Sequence, residues 1–245
     1  MSRNPYAPAV DDLDPALARG PGGGQQPWAV GEVLSIGWEA VKRSWAVLIF
    51  GTLIAGIIGA VPSYIPVILV AARIVVEGSA EYWVVYTVCT GISYAIQIFF
   101  QVGLVRIFLE AARGREPDFG LLLSGSDRYL PLLGMTLLMT LGVFGGTLLL
   151  IVPGIIFVLG VSLGMFYCVD AKLGPIEALK ASWSATQGSK GQLFVYWLAS
   201  IAVAFLGLLA CCVGFYVAIP VIWAGYAVVY VRLSGNSEPP RAHVH

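Results

Sequence analysis

Charge is scarce in this 245-residue sequence: 14 Lys and Arg and 14 Asp and Glu make up only 11% of it, against about 25% in a soluble domain. Histidine is scarcer, with only His243 and His245. Both sit in a polar C-terminal stretch, and a His-x-His pair at a frayed end is a poor metal holder. The four cysteines, Cys89, Cys168, Cys211 and Cys212, form no C-x-x-C pair and have no histidine nearby. They suggest neither a zinc site nor a disulfide framework, and read as small apolar packing residues. Gly22 to Gly24 and Gly188-Ser189-Lys190-Gly191 lack the Gly-Lys-Ser or Gly-Lys-Thr that a phosphate loop needs. With a formal net charge of zero, no global field attracts nucleic acid. The expectation is a chain with no catalytic residues, no metal, no cofactor and no nucleic-acid partner.

What the sequence has in quantity is apolar surface: 58% hydrophobic residues and a mean hydropathy of +0.83. Several apolar runs reach the roughly 20 residues that a helix needs to cross a hydrocarbon core about 30 Å thick. The bilayer is therefore the first partner, and the fold class is an all-α polytopic membrane protein. Residues 1–29 read as a disordered polar tail, 30–233 as a helical membrane domain and 234–245 as a second tail. No signal-peptide core is visible near the start.

Val30 to Trp45 is amphipathic, with Val30, Val33, Leu34, Trp38, Val41 and Trp45 on one face. Asp170 to Gly191 is the longest water-facing interior stretch; Gly174-Pro175 starts a helix there whose apolar side carries Ile176, Leu179 and Trp183. Glu32-x-Leu34-x-x-x-Trp38-x-Ala40 aligns without a gap on Glu177-x-Leu179-x-x-x-Trp183-x-Ala185. An internal repeat follows, with two interfacial helices anchored by Trp38, Trp45 and Trp183. Phe119 to Leu123 is a candidate for a third, shorter one.

Between them lie about six crossings. Trp45 to Val76 is expected to cross once and to end or kink near Pro62 or Pro66. Tyr82 to Phe108 returns, continuing to about Arg113 before Gly114. Tyr129 to Ile151 turns at Pro153-Gly154 into Ile155 to Val169, and Gln192 to Val213 pairs with Phe215 to Val231. Lys42, Arg43, Arg113, Arg115, Arg128, Lys172, Lys180, Lys190 and Arg232 then share one side, while Arg73 stands opposite beside Glu77 and Glu81. By the positive-inside rule both termini are cytoplasmic. Three surface-helix-plus-hairpin units, weak parallel repeats about an axis along the membrane normal, are the expected architecture. Trp45, Tyr82, Trp83, Tyr129 and Tyr167 read as the aromatic belt.

Gln97, Gln101, Arg106 and Glu110 form a polar stripe on the second crossing. It is the candidate path for a pore or substrate, with interhelical hydrogen bonding and an Arg106–Glu110 pair as the plainer use. Gly142-x-x-x-Gly146 and Gly160-x-x-x-Gly164 put small residues on the third and fourth crossings for close packing, within one chain or between chains. Asp170 is expected to cap its loop or pair with Lys172.

Ala112-Arg113-Gly114, Leu149 to Ile156, Val169-Asp170, Leu173 to Leu179, Ser182-Trp183 and Thr186-Gln187-Gly188 occur in an order that resembles a broad group of uncharacterised bacterial integral membrane proteins. The group includes the YciC-like family and the membrane domain fused to some glycerophosphoryl diester phosphodiesterases. The resemblance spans Gly103 to Gly235 and implies architecture, not activity; no phosphodiesterase domain is present. Val158 to Gly164 departs from relatives that carry an Arg and aromatic residues there. The functional expectation is a non-enzymatic scaffold or accessory subunit, with a homo-oligomer or membrane partner left open. The alternatives are a transporter or channel using the polar stripe, and the membrane component of a lipid-processing system.

Overall fold

In a computed structural model, residues 28–149, 151–209 and 213–234 are described; the expected tails, His243, His245, Cys211 and Cys212 lie outside the described residues. No strand occurs among the described residues, and the helices in chain order are α1 (Val30–Arg43), α2 (Trp45–Ala71), α3 (Ala80–Ala112), the 3-10 helix η1 (Phe119–Asp127), α4 (Tyr129–Leu149), α5 (Ile151–Val161), α6 (Gly164–Val169), α7 (Pro175–Ala185), α8 (Lys190–Leu209) and α9 (Val213–Ser234). Among the described residues, α2, α3, α4, α8 and α9 contain stretches long and apolar enough to cross a membrane. The chain is an all-α polytopic membrane protein.

The long helices sort into two rings. In α3 and α9 50% and 56% of the most apolar window is buried, against 17% in α2, 11% in α4 and 22% in α8. The reason is aromatic. Phe108 of α3 stacks on Trp223 of α9 at 6.4 Å, and Phe166 of α6 meets Trp223 at 6.5 Å and Tyr230 at 5.5 Å. Thus α3, α6 and α9 close on a solid centre in which Phe108, Phe166 and Tyr230 are fully buried, while α2, α4 and α8 leave their apolar sides for lipid.

Three short helices seat themselves on the inner helices in one manner. A Cβ at Gly37 of α1 would lie 2.9 Å from the Val221 carbonyl oxygen, and one at Gly125 of η1 only 2.1 Å from that of Phe99. At the corresponding place in α7, the Ser182 hydroxyl donates to the Gly160 carbonyl at 2.8 Å. Four residues beyond each carbonyl stands a glycine: Gly225, Gly103 and Gly164. The small residue follows a leucine by three in every case, as Leu34-x-x-Gly37, Leu122-x-x-Gly125 and Leu179-x-x-Ser182. Backbone approach this close needs small residues on the contacting faces. Because α1 sits on the last helix, α9, the chain closes on itself, and Arg232 clamps Glu32 through two bonds of 3.0 and 2.6 Å. That hydrogen bond, opposed by desolvation, holds the Glu32 carboxyl below its usual range.

Several expectations need correction. Of the end or kink expected at its prolines, α2 does not end there; it continues as helix through Pro62 and Pro66 to Ala71, about 40 Å at 1.5 Å per residue. Pro153 and Gly154 do not form the expected turn but lie in the first turn of α5, where the missing proline N–H has no helical partner to lose. The stretch expected as the fourth crossing is split into α5 and α6 and, among the described residues, is not one of the five helices long and apolar enough to span, against the six expected. There Leu163 N–H donates to the Ser182 hydroxyl, while the Gly160 carbonyl accepts from Ser182 and Thr186. The side chains of α7 thereby complete the opened backbone. Ser182→Ala is expected to lower stability by about 1–3 kcal/mol, because it orphans a buried donor; melting in detergent micelles checks this.

The protein-facing side of α7 is lined by small residues. Ala178, Ser182 and Thr186 are buried, whereas Ile176 is exposed. In α1 the equivalent positions Val33, Gly37 and Val41 are buried and Trp38 is exposed. In both helices the most deeply buried side chains are small or medium, since a close backbone approach needs small residues at the contact.

Candidate functional site

The polar stripe of α3 divides in two. Arg106 turns to η1, donating to the Ser124 carbonyl and hydroxyl at 2.7 Å and to both oxygens of Asp127 at 2.9 and 2.7 Å. Glu110 pairs with Arg115 at 2.7 Å. The expected Arg106–Glu110 pair therefore does not form: Asp127 and Arg115 offer partners that satisfy each charge. Arg106 instead staples η1 onto α3.

Gln97 and Gln101, deeper in α3, line a cleft of about 340 Å³ between α2, α3 and α9. Its walls include Thr52 and Ala55 of α2, Phe100 and Phe108 of α3, and Trp223 of α9, with no charged residue. The Gln101 amide donates to the Met165 sulfur at 2.9 Å, a weak acceptor. The Thr52 hydroxyl donates to the Leu48 carbonyl at 2.7 Å. The cleft exists because α2 approaches α3 through Gly51, Ala55 and Gly59, all buried; a Cβ at Gly59 would lie 2.5 Å from Gln97 Cγ. This small-x-x-x-small stripe was legible in the sequence but overlooked beside the glycine pairs of α4 and α5.

Those glycine pairs serve contacts within the chain. The Phe157 ring lies over Gly142, and Gly146 faces Gly154 of α5. Gly160 lies under the Trp183 indole, and Gly164 takes the Met135 side chain of α4. Trp183 is partly buried and carries the Lys190 ammonium 3.6 Å from its ring centroid, while Trp38 and Trp45 are exposed.

A second polar cluster, which sequence reasoning did not assemble, joins the ends of α3, α6 and α9. Asp170 accepts from Arg113 at 2.5 Å and from the Tyr230 hydroxyl at 2.9 Å. It does not pair with Lys172; Arg113 is delivered instead by Gly114, whose φ of +77° ends α3. Burial pulls the Arg113 pKa down, but the Asp170 hydrogen bond and charge outweigh it and raise the pKa above its ordinary value. Beside this cluster Tyr167 is buried against Tyr230, with ring centroids 4.9 Å apart, so it is a core residue and not part of an interfacial belt. Arg128 donates to the Lys172 carbonyl at 3.0 Å. These links gather the loop ends of all three hairpins at one end of the molecule.

Among the described residues, no group of three or more His, Cys, Asp and Glu side chains could hold a metal ion. Cys89 and Cys168 are buried free thiols.

No family model matches the chain, and no solved structure matches it. It is similar to the uncharacterized proteins Mb2590 of Mycobacterium bovis and Rv2560 of Mycobacterium tuberculosis. To each it is 25% identical over 237 residues, covering 85% of this chain and 70% of the relative.

Proposed function

We propose that this chain is a non-enzymatic membrane scaffold or accessory subunit of a bacterial inner membrane, with both termini in the cytoplasm. The observation that carries this reading is the use made of its charges. Arg106, Arg113, Arg232 and their carboxylate partners Asp127, Asp170 and Glu32 are consumed in joining one helix to another. The positive-inside rule supports the orientation, since the gathered loop end carries most of the Lys and Arg. The matching burial of α1 and α7 supports an internal repeat, with η1 as a divergent third copy. Membership of the YciC-like group is part of the same proposal.

The purified protein in phospholipid vesicles should leave every lipid chemically unchanged, as followed by mass spectrometry. Turnover that Glu110→Gln or Asp170→Asn abolishes would overturn the reading. The rival transporter reading has lost two of its four stripe residues to ion pairs outside the cleft. Its test is solute flux, with Gln101→Leu and Arg106→Leu compared with the unaltered protein.

A further inference from the structure

With the membrane surface placed at the start of α2 and the end of α3, the cleft between α2, α3 and α9 lies at hydrocarbon depth. Thr52 is seven residues and Gly56 eleven residues inside the start of α2 at Trp45, about 10–16 Å along the helix. Gln101 and Gln97 lie eleven and fifteen residues before the end of α3 at Ala112, about 16–22 Å from the same end. Headgroup regions occupy only the outer ~5–8 Å of each side. A phospholipid phosphate does not reach this level, and the walls have no charge to receive one.

The polar groups there are poorly satisfied. Gln97 is exposed in the cleft and makes no hydrogen bond to a described residue, and Gln101 has only a thioether. An unpaired amide in hydrocarbon costs several kcal/mol, so each side chain has N–H donors that a neutral acceptor would stabilise. Phe100, Phe108 and Trp223 add flat aromatic faces, which stack on planar rings.

We propose that this cleft binds the head group of a neutral, membrane-soluble lipid of the quinone class, its ring carbonyls accepting from Gln97 and Gln101 and its ring lying against the aromatic wall. The prenyl or alkyl tail leaves on the side of Gly56 and Gln97, which are exposed. The inference is independent of the scaffold reading, which requires no ligand.

The test uses the full-length protein in nanodiscs titrated with a decyl-substituted benzoquinone, read by quenching of tryptophan fluorescence. Saturable quenching is expected, reduced by Trp223→Phe. Gln101→Leu should weaken binding about tenfold, the equivalent of roughly 1.4 kcal/mol. Gly56→Leu provides a second variant that folding defects do not confound. A Cβ at Gly56 meets nothing within 4 Å, so the leucine enters the cleft without disturbing packing and should abolish saturable quenching while melting is not lowered. Three results would overturn the proposal: quenching that never saturates, saturable quenching indifferent to both Gln101→Leu and Gly56→Leu, or binding of diacylglycerol in place of the quinone. Reaction of a Gln97→Cys variant with a membrane-impermeant charged thiol reagent would also overturn it, because the cleft would then be an aqueous crevice.

Discussion

Gly103→Ala is expected to destabilise the protein by about 3 kcal/mol, at the upper end of the usual cost of overpacking. The added methyl would stand 2.5 Å from the Leu122 carbonyl oxygen and 2.6 Å from the Leu121 oxygen and the Leu122 Cα. All three are backbone atoms, so no rotamer change relieves the clash, and η1 has to lift away from α3. Lifting it also strains the Arg106 bonds to Ser124 and Asp127. The control lies on the same helix: a Cβ at Gly91 meets nothing within 4 Å, so Gly91→Ala should stabilise α3 by about 0.5–1 kcal/mol. Unfolding of both variants in mixed micelles measures the difference. If Gly103→Ala melts with the unaltered protein, η1 is not seated on α3 as described.

Asp170→Ala should cost a similar amount, about 3 kcal/mol, the usual penalty for removing one member of a buried ion pair. The side chains of Arg113 and Asp170 are only 14% and 15% exposed. Without the carboxylate, burial acts unopposed on a guanidinium that stays protonated, and the Tyr230 hydroxyl loses its acceptor. The three inner helices then separate at that end. Asp170→Asn should cost less, since it keeps an oxygen for one of the two donors. A local readout separates loosening from global unfolding: Cys168, two residues away, is fully buried and should react with maleimide much faster in Asp170→Ala. Unchanged labelling and melting would show that the cluster contributes nothing to the junction.

The ends of α3 and the start of α7 at Gly174-Pro175 were legible because they follow from local properties, whereas about six crossings were expected and five helices among the described residues are long and apolar enough to span. Long apolar runs, a glycine at positive φ and a proline in a first turn act within a few residues. The partner of Asp170 was not legible. Lys172 is near in sequence, but Arg113 lies 57 positions away and arrives only when α3 and α6 pack. The polar stripe failed as a unit for the same reason: helical spacing put Arg106 beside Glu110, while η1 brought Asp127 to a better position. The lining of the cleft needed α9, from the far end of the chain, to supply Trp223.

By itself, then, the sequence determined that the chain is all-helical and apolar enough for a bilayer, because hydropathy and helix signals are summed along the chain. Only the tertiary structure decided which crossings are inner and which face lipid. That division rests on where glycines permit backbones to touch and where Phe108, Phe166, Trp223 and Tyr230 meet. It also decided that the short helices are seated by Gly37, Gly125 and Ser182, with Trp183 packing over Gly160 beside the last of these contacts, since the depth of a groove is a property of two helices and is written in neither one alone.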